Sequence, residues 1–171
     1  MRNTFWILCA AAITVAGPGH VLAQDQPQVI EDSMVRKVVW DKECLTADGS
    51  SIYFRKCDSS AVNAENSQWN IVKRYVNDKG LAYRSLCVEG EKRCITRREG
   101  EIVLEGYDFL DRQLWRITER GPNVKFISYM DDMEGKYICI RREYDPDGPE
   151  LAREGLCNGS KDAQVFRLDP V

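Results

Sequence analysis

The chain has 171 residues, of which 24 are basic, 27 are acidic and one is histidine, so its formal net charge is −3. A chain of this length is expected to form one domain with one hydrophobic core. The acidic balance argues against general nucleic-acid binding, which requires a strongly basic surface.

Residues 1–23 have the features of a cleaved signal peptide. Arg2 precedes an apolar run of 12 residues, Phe5–Ala16, and the small residues of Val21-Leu22-Ala23 follow a Gly/Pro break. The run is shorter than the about 20 residues that cross a bilayer, so we expect no stable membrane insertion. The sequence therefore predicts a secreted protein, which is extracellular, or periplasmic if the source is bacterial.

Removal of residues 1–23 changes the chemistry that remains. The only histidine, His20, and one of the seven cysteines, Cys9, lie in this segment, and the other 148 residues have a net charge of −4. Without histidine they lack the usual nucleophile–base pairs and histidine-ligated zinc. We therefore expect no enzyme activity, no cofactor and no metal. The six remaining cysteines, an even number in an exported domain, predict three disulfides.

Residues 24–33 are polar and predict a flexible leader, and short β-type segments follow from Met34 onward. These segments are rich in Val, Ile, Tyr and Phe and are bounded by Gly, Asp or Asn. They are Val35–Trp40, Ser51–Phe54, Glu101–Leu104, Val124–Tyr129 and Gln164–Leu168. Short strands at this spacing predict an all-β barrel or sandwich.

The segments belong to a threefold internal repeat. Each unit opens with a cysteine and an aliphatic residue, continues through a turn and an apolar strand, and closes on an aromatic residue. The opening cysteines are Cys44, Cys94 and Cys139, and the closing aromatics are Trp69, Trp115 and Phe166. One unit cannot bury its apolar face alone, but three units around an axis share one core. We therefore predict a single domain over 34–171, with repeats at about 34–78, 79–121 and 122–171 and the three aromatics in the core.

These features resemble those of the ricin B-type β-trefoil family, whose repeats close with Gln-x-Trp. Gln113-Leu114-Trp115 has the whole motif, Gln164-Val165-Phe166 has a different aromatic, and Ser67-Gln68-Trp69 keeps only the Trp. The resemblance covers nearly all of residues 34–171. It implies an all-β β-trefoil with three pseudo-symmetric four-stranded repeats, and therefore twelve strands.

The resemblance also implies disulfides within the repeats, Cys44–Cys57 and Cys139–Cys157. In the second repeat the position equivalent to Cys57 is Tyr107, so Cys94 lacks that partner. Cys87 is the nearest alternative, and a hairpin bridge to Cys94 is geometrically plausible if their strands pair. Because six cysteines allow fifteen connectivities, these assignments depend on the register of the repeats.

Function in this family usually means carbohydrate binding, through a carboxylate, an aromatic platform and an amide. The carboxylate position, two residues after each opening cysteine, holds Thr46, Thr96 and Arg141. The platform position holds Arg55, Glu105 and Gly155. Of the closing polar positions only Asn66 is intact, and Asp48 would contribute only in a shifted register. We therefore expect the scaffold to be kept and the family-type sugar site to be largely lost.

Paired arginines recur at similar places in two repeats. Arg97-Arg98 follows Cys94, and Arg141-Arg142 follows Cys139. Guanidinium groups bind carboxylate, sulfate or phosphate in bidentate fashion, so these pairs are candidates for binding an acidic glycan or an anionic protein surface. The alternative is that they pair with neighbouring glutamates on a solvated β-surface.

Two weaker motifs remain. Asn158-Gly159-Ser160 is an N-glycosylation sequon, which is meaningful if the source is a eukaryote. Asp131-Asp132 begins an acidic turn that would suit Ca²⁺, but it matches no full cation loop, and a surface turn is the preferred interpretation.

The leading hypothesis is a secreted, non-catalytic recognition module that binds a glycan or another partner at a cell surface. The alternative is a protein-binding trefoil, such as a protease inhibitor or the targeting subunit of a toxin. In that case long loops such as 58–67 and 144–150 would insert into the partner. An enzyme would require Asp/Glu chemistry, for which the sequence contains no active-site motif.

Overall fold

A computed structural model describes residues 33–88, 93–120, 123–133, 135–157 and 162–171. The predicted signal peptide, the leader up to residue 32 and Asn158 lie outside these ranges. Within them the chain forms three successive groups of four strands. The repeat boundaries near residues 78 and 121 stay a prediction.

The first group is β1 (Ser33–Trp40), β2 (Glu43–Asp48), β3 (Ser51–Lys56) and β4 (Gln68–Val76). The second group is β5 (Ala82–Val88), β6 (Arg93–Arg98), β7 (Glu101–Gly106) and β8 (Trp115–Arg120). The third group is β9 (Asn123–Ser128), β10 (Ile138–Glu143), β11 (Glu150–Leu156) and β12 (Phe166–Pro170). Two short helices, α1 (Ala64–Ser67) and α2 (Tyr129–Met133), and the 3₁₀ turns Asp111–Gln113 and Asp162–Gln164 lie in the connections.

Six strands close into an antiparallel barrel. The first strand β1 pairs with β4, β4 with β5, β5 with β8, β8 with β9, β9 with β12, and β12 with β1 again. Each of these strands thus has a neighbour on both sides. Closure of this kind removes the unpaired edges that make open sheets prone to aggregate.

Three hairpins cap one end of the barrel. They are β2–β3, β6–β7 and β10–β11, and their second strands pair with one another around the cap. Each hairpin is joined to the barrel strand that precedes it. Because the same pairings recur in all three groups, the architecture is the predicted all-β β-trefoil of twelve strands.

Side-chain alternation explains how the cap hairpins face the core. Ile52 and Phe54 of β3 are buried with half-buried residues on either side, and Ile102 and Leu104 of β7 are buried between exposed or half-buried residues. Such alternation is expected for strands with one face on the core. The turn of the β6–β7 hairpin contains Gly100, whose φ of 95° suits glycine and strains other residues.

The three closing aromatics lie in the core. Trp69 and Trp115 have no exposed surface, and Phe166 is 1% exposed. Each indole N–H donates a hydrogen bond to the carbonyl oxygen of the residue after the opening cysteine. The acceptors are Leu45, at 2.9 Å from Trp69, and Ile95, at 3.1 Å from Trp115. The two tryptophans therefore tie the closing strand of each repeat to its opening strand.

Three disulfides are present, and they have the predicted pairings. Cys44–Cys57 and Cys139–Cys157 close the first and third hairpins, with Cα atoms 5.0 and 5.2 Å apart. In the second repeat Cys87 and Cys94 lie directly opposite each other on β5 and β6. Three disulfides in one small domain are typical of proteins that fold in an oxidising compartment.

Two predicted strands extend beyond the observed ones. Tyr129 was expected to end the strand that began at Val124, but it starts helix α2. Gln164 was expected to begin the last strand, but it lies in a 3₁₀ turn, and β12 begins at Phe166. The predicted strands thus include one residue after the end of β9 and two residues before the start of β12.

Candidate functional site

The positions that correspond to the family's sugar-binding carboxylate are buried in the first two repeats. Thr46 and Thr96 have no exposed surface. Each hydroxyl donates a hydrogen bond to the carbonyl oxygen of its opening cysteine, Cys44 at 2.9 Å and Cys94 at 3.0 Å. Without an accessible surface, neither threonine can contact a ligand.

In the first repeat, the two remaining candidate residues both have partners in the chain. Asp48 accepts a hydrogen bond from the guanidinium of Arg55, with Nη2 and Oδ2 2.7 Å apart. Asn66 forms a capping box at α1 with Asn63, in which each backbone N–H donates to the other side-chain oxygen at 2.9 and 3.1 Å. Asn66 therefore organises the 58–67 connection, in which sequence reasoning expected a loop.

In the second repeat, the platform position carries a carboxylate within an ion-pair network. Glu105 lies 3.0 Å from Arg98 and 3.4 Å from Arg112, and Arg112 also lies 3.3 Å from Asp108. These groups are at or near the surface, where such pairs contribute little to stability. An acidic group with two arginine partners replaces the aromatic ring that a family-type site would need.

In the third repeat, an arginine covers the platform position. The stem of Arg141 lies so close to Gly155 that a Cβ at this glycine would be 2.5 Å from the arginine Cδ. Its guanidinium donates to the carbonyl oxygen of Glu154 at 3.2 Å and to the carboxylate of Glu143 at 3.0 Å. A larger residue at position 155 would have to displace the Arg141 stem.

The four arginines predicted to bind anions all contact carboxylates of the chain. Arg97 contacts Asp131 of α2 and Glu154 of β11. The partners of Arg98 and Arg141 are given above, and Arg142 contacts glutamates as well. This is the pairing described by the alternative interpretation. An anionic ligand would have to displace these partners, so anion binding by the pairs stays a prediction.

The acidic turn considered for Ca²⁺ is a short helix held to the barrel. Arg116 of β8 donates two hydrogen bonds to Asp132, at 2.6 and 2.7 Å, and the Tyr83 hydroxyl donates a third at 2.6 Å. Burial alone would raise the pKa of Asp132, but these hydrogen bonds and the arginine charge outweigh it and lower that pKa below its ordinary value. Burial, with the bond to Asp132, raises the pKa of Tyr83 far above its ordinary value.

Across the described ranges, no group of three or more His, Cys, Asp or Glu side chains is arranged to hold a metal ion. In the same ranges, no helix is long and apolar enough to cross a membrane. The 158–160 sequon lies outside the described residues.

Trp40, at the end of β1, is held in place by an arginine. The guanidinium carbon of Arg142 lies 3.6 Å from the centroid of the Trp40 ring, a cation–π contact. Arg142 also forms ion pairs with Glu43, at 3.1 Å, and with Glu150. Trp40 is half-buried and also packs against the hydrophobic core, so the core and Arg142 together hold the ring, and part of the side chain faces solvent.

A surface cleft of about 670 Å³ lies beside Trp40, and we call it the Trp40 cleft. Its volume falls in the range of small-ligand sites. Its acidic residues are Asp41, Glu43, Asp58 and Asp169. Its basic residues are Lys42, Lys56, Arg142 and Arg167. The two signs are equal in number, so the formal charges of the cleft cancel.

A second surface feature is a loop at residues 107–112 that displays an aromatic ring. The Arg74 guanidinium lies 4.5 Å above the Tyr107 ring, and the Tyr107 ring lies 4.4 Å from the ring of Phe109. Phe109 is 70% exposed and has a left-handed backbone, with φ at 60°. The next residue, Leu110, is 42% exposed. We call this segment the 107–112 loop.

The buried glutamine of the Gln-x-Trp motif forms hydrogen bonds to this loop from the protein interior. The Gln113 side-chain amide donates to the carbonyl oxygen of Gly106 at 2.7 Å and to the hydroxyl of Thr96 at 3.0 Å. Its oxygen accepts the backbone N–H of Asp108 at 3.0 Å. Gln113 itself has no exposed surface. The motif that suggested the fold thus also sets the geometry of a surface loop.

The structure brings only part of the predicted set to the cleft. Of the six residues predicted to bind ligand, Arg142 alone lines the Trp40 cleft. The sequence predicts a strand at Trp40 and gives this residue no role, and within 107–112 it singles out only Tyr107, as the position equivalent to Cys57. Two signals were available: an aromatic residue directly before the charged Asp41-Lys42 turn, and the apolar pair Phe109-Leu110 between two aspartates.

Comparisons with known proteins support the fold and give no family. No family model matches the chain, and no curated protein gives a significant match. The designed threefold-symmetric protein ThreeFoil matches with a TM-score of 0.59 at 19% identity, covering 80% of this chain and 99% of that chain. The cytolethal distending toxin of Haemophilus ducreyi has a TM-score of 0.63 at 11% identity, with coverages of 80% and 83%. Chicken interleukin-1β has a TM-score of 0.62 at 11% identity, covering 82% of this chain and 98% of that chain. At these identities the likeness shows the β-trefoil fold alone.

Proposed function

We propose that this β-trefoil is a secreted, non-catalytic recognition module that binds a glycan on a cell surface through the Trp40 cleft. The observation that carries the proposal is the aromatic ring of Trp40, fixed by Arg142 at the side of a cleft lined by carboxylates and basic groups. The predicted signal peptide and the three disulfides support export. The Gln113-Leu114-Trp115 motif supports descent from a ricin B-type scaffold.

The composition of the Trp40 cleft favours a neutral saccharide. An aromatic ring packs against the apolar face of a sugar, and carboxylates and guanidinium groups accept from and donate to its hydroxyls. Since the acidic and basic residues of the cleft are equal in number, a charged glycan would gain little net electrostatic attraction there. The site differs from the family-type positions, which are filled by Arg55, Glu105 and Arg141.

A glycan array that includes neutral, sulfated and sialylated members tests this proposal, with the exported protein presented as a multivalent complex. We expect neutral glycans to bind, and binding to persist at about 1 M NaCl, where the Debye length is about 3 Å. Trp40→Leu, which keeps an apolar side chain but removes the ring, is expected to weaken binding about tenfold, as the loss of about 1.4 kcal/mol would.

Tyr144→Leu is the matched control, because Tyr144 is a 75% exposed aromatic that does not line the Trp40 cleft. This variant should bind like the wild type. Wild-type affinity in Trp40→Leu, or binding only to acidic glycans with loss in salt, would exclude the cleft. An array with no binding at all would remove the glycan function.

A protein-binding role, as a protease inhibitor or the targeting subunit of a toxin, is the second candidate. The observation in its favour is the exposed 107–112 loop, and the fold likeness to a cytolethal distending toxin and a cytokine is compatible with it. Purification from the native source separates the two roles. A stoichiometric catalytic chain would favour a toxin subunit, whereas a monomer that inhibits no protease would weigh against both versions.

A further inference from the structure

We propose that the 107–112 loop is a docking element for a protein partner whose surface offers an apolar site rimmed by basic side chains. The residues of this loop differ from those that line the Trp40 cleft, so the inference goes beyond glycan binding and does not depend on it. Three observations carry it: exposure, backbone strain and local charge.

The loop exposes apolar side chains to water. Phe109 is 70% exposed and Leu110 is 42% exposed, so most of the Phe109 surface faces water. Phe109 also adopts a φ of 60°, a region in which bulky side chains are rare and strained. Strain of this kind persists where the surroundings hold it, and it concentrates at binding sites. An exposed ring in a strained conformation has a clear use only if a partner covers it.

Several contacts hold the loop in place. Gln113 follows the loop directly and forms hydrogen bonds to Gly106 and Asp108 at the start of the loop, so it joins the two ends. The Arg74 guanidinium covers the Tyr107 ring, on which Phe109 packs. A rigid binding loop loses less conformational entropy on association than a flexible one. Phe, Tyr and Arg are also among the residues enriched in the cores of protein interfaces.

Local charge specifies the rim of the partner site. Asp108 and Asp111 flank the apolar pair, and both are exposed. Glu105 is paired with both Arg98 and Arg112, and Asp108 is paired with Arg112, so the exposed carboxylates beside the apolar pair are those of Asp108 and Asp111. Carboxylates around an apolar pair fit a pocket with basic side chains at its edge. The same charge disfavours an anionic membrane surface.

The experiment uses the full exported protein and two synthetic amphipathic helices of about 15 residues, one of Leu and Lys and one of Leu and Glu. Binding is measured by fluorescence anisotropy, and the site is located by amide chemical-shift changes. We expect the Leu/Lys helix to bind at least about tenfold more tightly than the Leu/Glu helix. The shifts should concentrate at residues 107–112.

Phe109→Asn is the decisive variant, because asparagine tolerates a left-handed backbone. It should lose at least about tenfold in affinity for the Leu/Lys helix, while its melting temperature stays equal or rises because the strained residue is gone. Tyr144→Asn replaces an exposed aromatic residue outside the loop by asparagine, and it should change neither the affinity for the Leu/Lys helix nor the melting temperature. Asp111→Asn keeps the ring and is expected to weaken binding and its dependence on salt, which gives a second test if Phe109→Asn does not fold.

Three results would overturn the inference. They are equal affinity for the two helices, unchanged affinity in both Phe109→Asn and Asp111→Asn, and stronger association with phosphatidylcholine vesicles than with the Leu/Lys helix. The last result would indicate a membrane-contacting loop. Glycan binding through the Trp40 cleft can succeed or fail independently of all three.

Discussion

At the scale of single residues, the closing aromatics of the three repeats have unequal chemistry. Trp69 and Trp115 each donate an indole hydrogen bond to a buried carbonyl oxygen near the start of their repeat. Phe166 has no donor, and it stacks against Phe54 with ring centroids 5.7 Å apart. The first two repeats therefore combine packing with a buried polar contact, whereas the third depends on ring packing.

Trp69→Phe and Trp115→Phe are expected to be costly although both keep an aromatic ring. Each leaves a buried carbonyl oxygen without its donor, which costs about 1–3 kcal/mol of unfolding free energy, in addition to the lost volume. Urea denaturation of the two variants measures this cost. Tyr144→Phe, at an exposed position, should stay within about 0.5 kcal/mol of the wild type. A loss below about 0.5 kcal/mol in both tryptophan variants would contradict the structural role of the indole bonds.

The residue scale also shows what the sequence could not predict about the site. Trp40 and Arg142 come from the first and third repeats, so their contact depends on how the repeats meet. The pairing of Arg97 with Asp131 and Glu154 has the same origin. Spacing within one repeat indicates which residues recur, but it contains no information about contacts between repeats.

At the scale of elements, helix α2 is held by arginines from two strands. Arg97 of β6 contacts Asp131, and Arg116 of β8 binds Asp132 with two hydrogen bonds. A helix of five residues has too few internal hydrogen bonds to be stable alone. The ion pairs therefore determine where α2 lies, and its short length explains why no helical periodicity was visible in the sequence.

Asp132→Asn is expected to remove stability in a pH-dependent way. Because the folded-state pKa of Asp132 is lowered, its contribution is fully present above the unfolded value of about 3.9 and is lost as pH falls through the folded value. Equilibrium unfolding from pH 7 to pH 2 should show a difference between wild type and variant that is constant at neutral pH and shrinks in acid. Asp147→Asn, at an exposed turn, should track the wild type. A difference independent of pH would contradict the assignment.

The strands and disulfides were more predictable than the connections. Cysteine and aromatic positions recur in register, and the apolar alternation of β3 and β7 is a local pattern, so twelve strands and three bridges followed from the sequence. The 58–67 connection is predicted as a loop, but it contains α1. This helix is stabilised by the Asn63–Asn66 capping box and has no apolar periodicity, so the sequence pattern does not indicate it. Tertiary contacts decide such short elements.

At the scale of the whole molecule, the first and last strands complete the barrel together. The last strand β12 pairs with β1 on one side and β9 on the other, and it brings Phe166 into the core. Its loss would open two edges of the barrel and leave a cavity beside Phe54 and Phe126. Because the core is shared, no repeat is independent of the others.

A chain that ends at residue 165 is therefore expected to lose cooperative unfolding, although it keeps eleven of the strands. Thermal denaturation followed by near-ultraviolet circular dichroism measures this, with the amide dispersion in an NMR spectrum as a second readout. Removal of Val171 alone, a 60% exposed residue beyond β12, should leave the transition unchanged. A cooperative transition within a few degrees of the wild type in the shorter chain would show that closure is dispensable.

The displaced disulfide of the second repeat gives the molecule an uneven sensitivity to thiol reductants. Cys57 and Cys157 lie directly after β3 and β11, so reduction of their bridges removes a covalent bond at the end of each of these strands. At the corresponding place the second repeat has Tyr107, which is held by the Arg74 guanidinium and involves no sulfur. In a reducing milieu the 107–112 loop would thus retain its anchors, whereas the 58–67 connection would lose its covalent bond to β2.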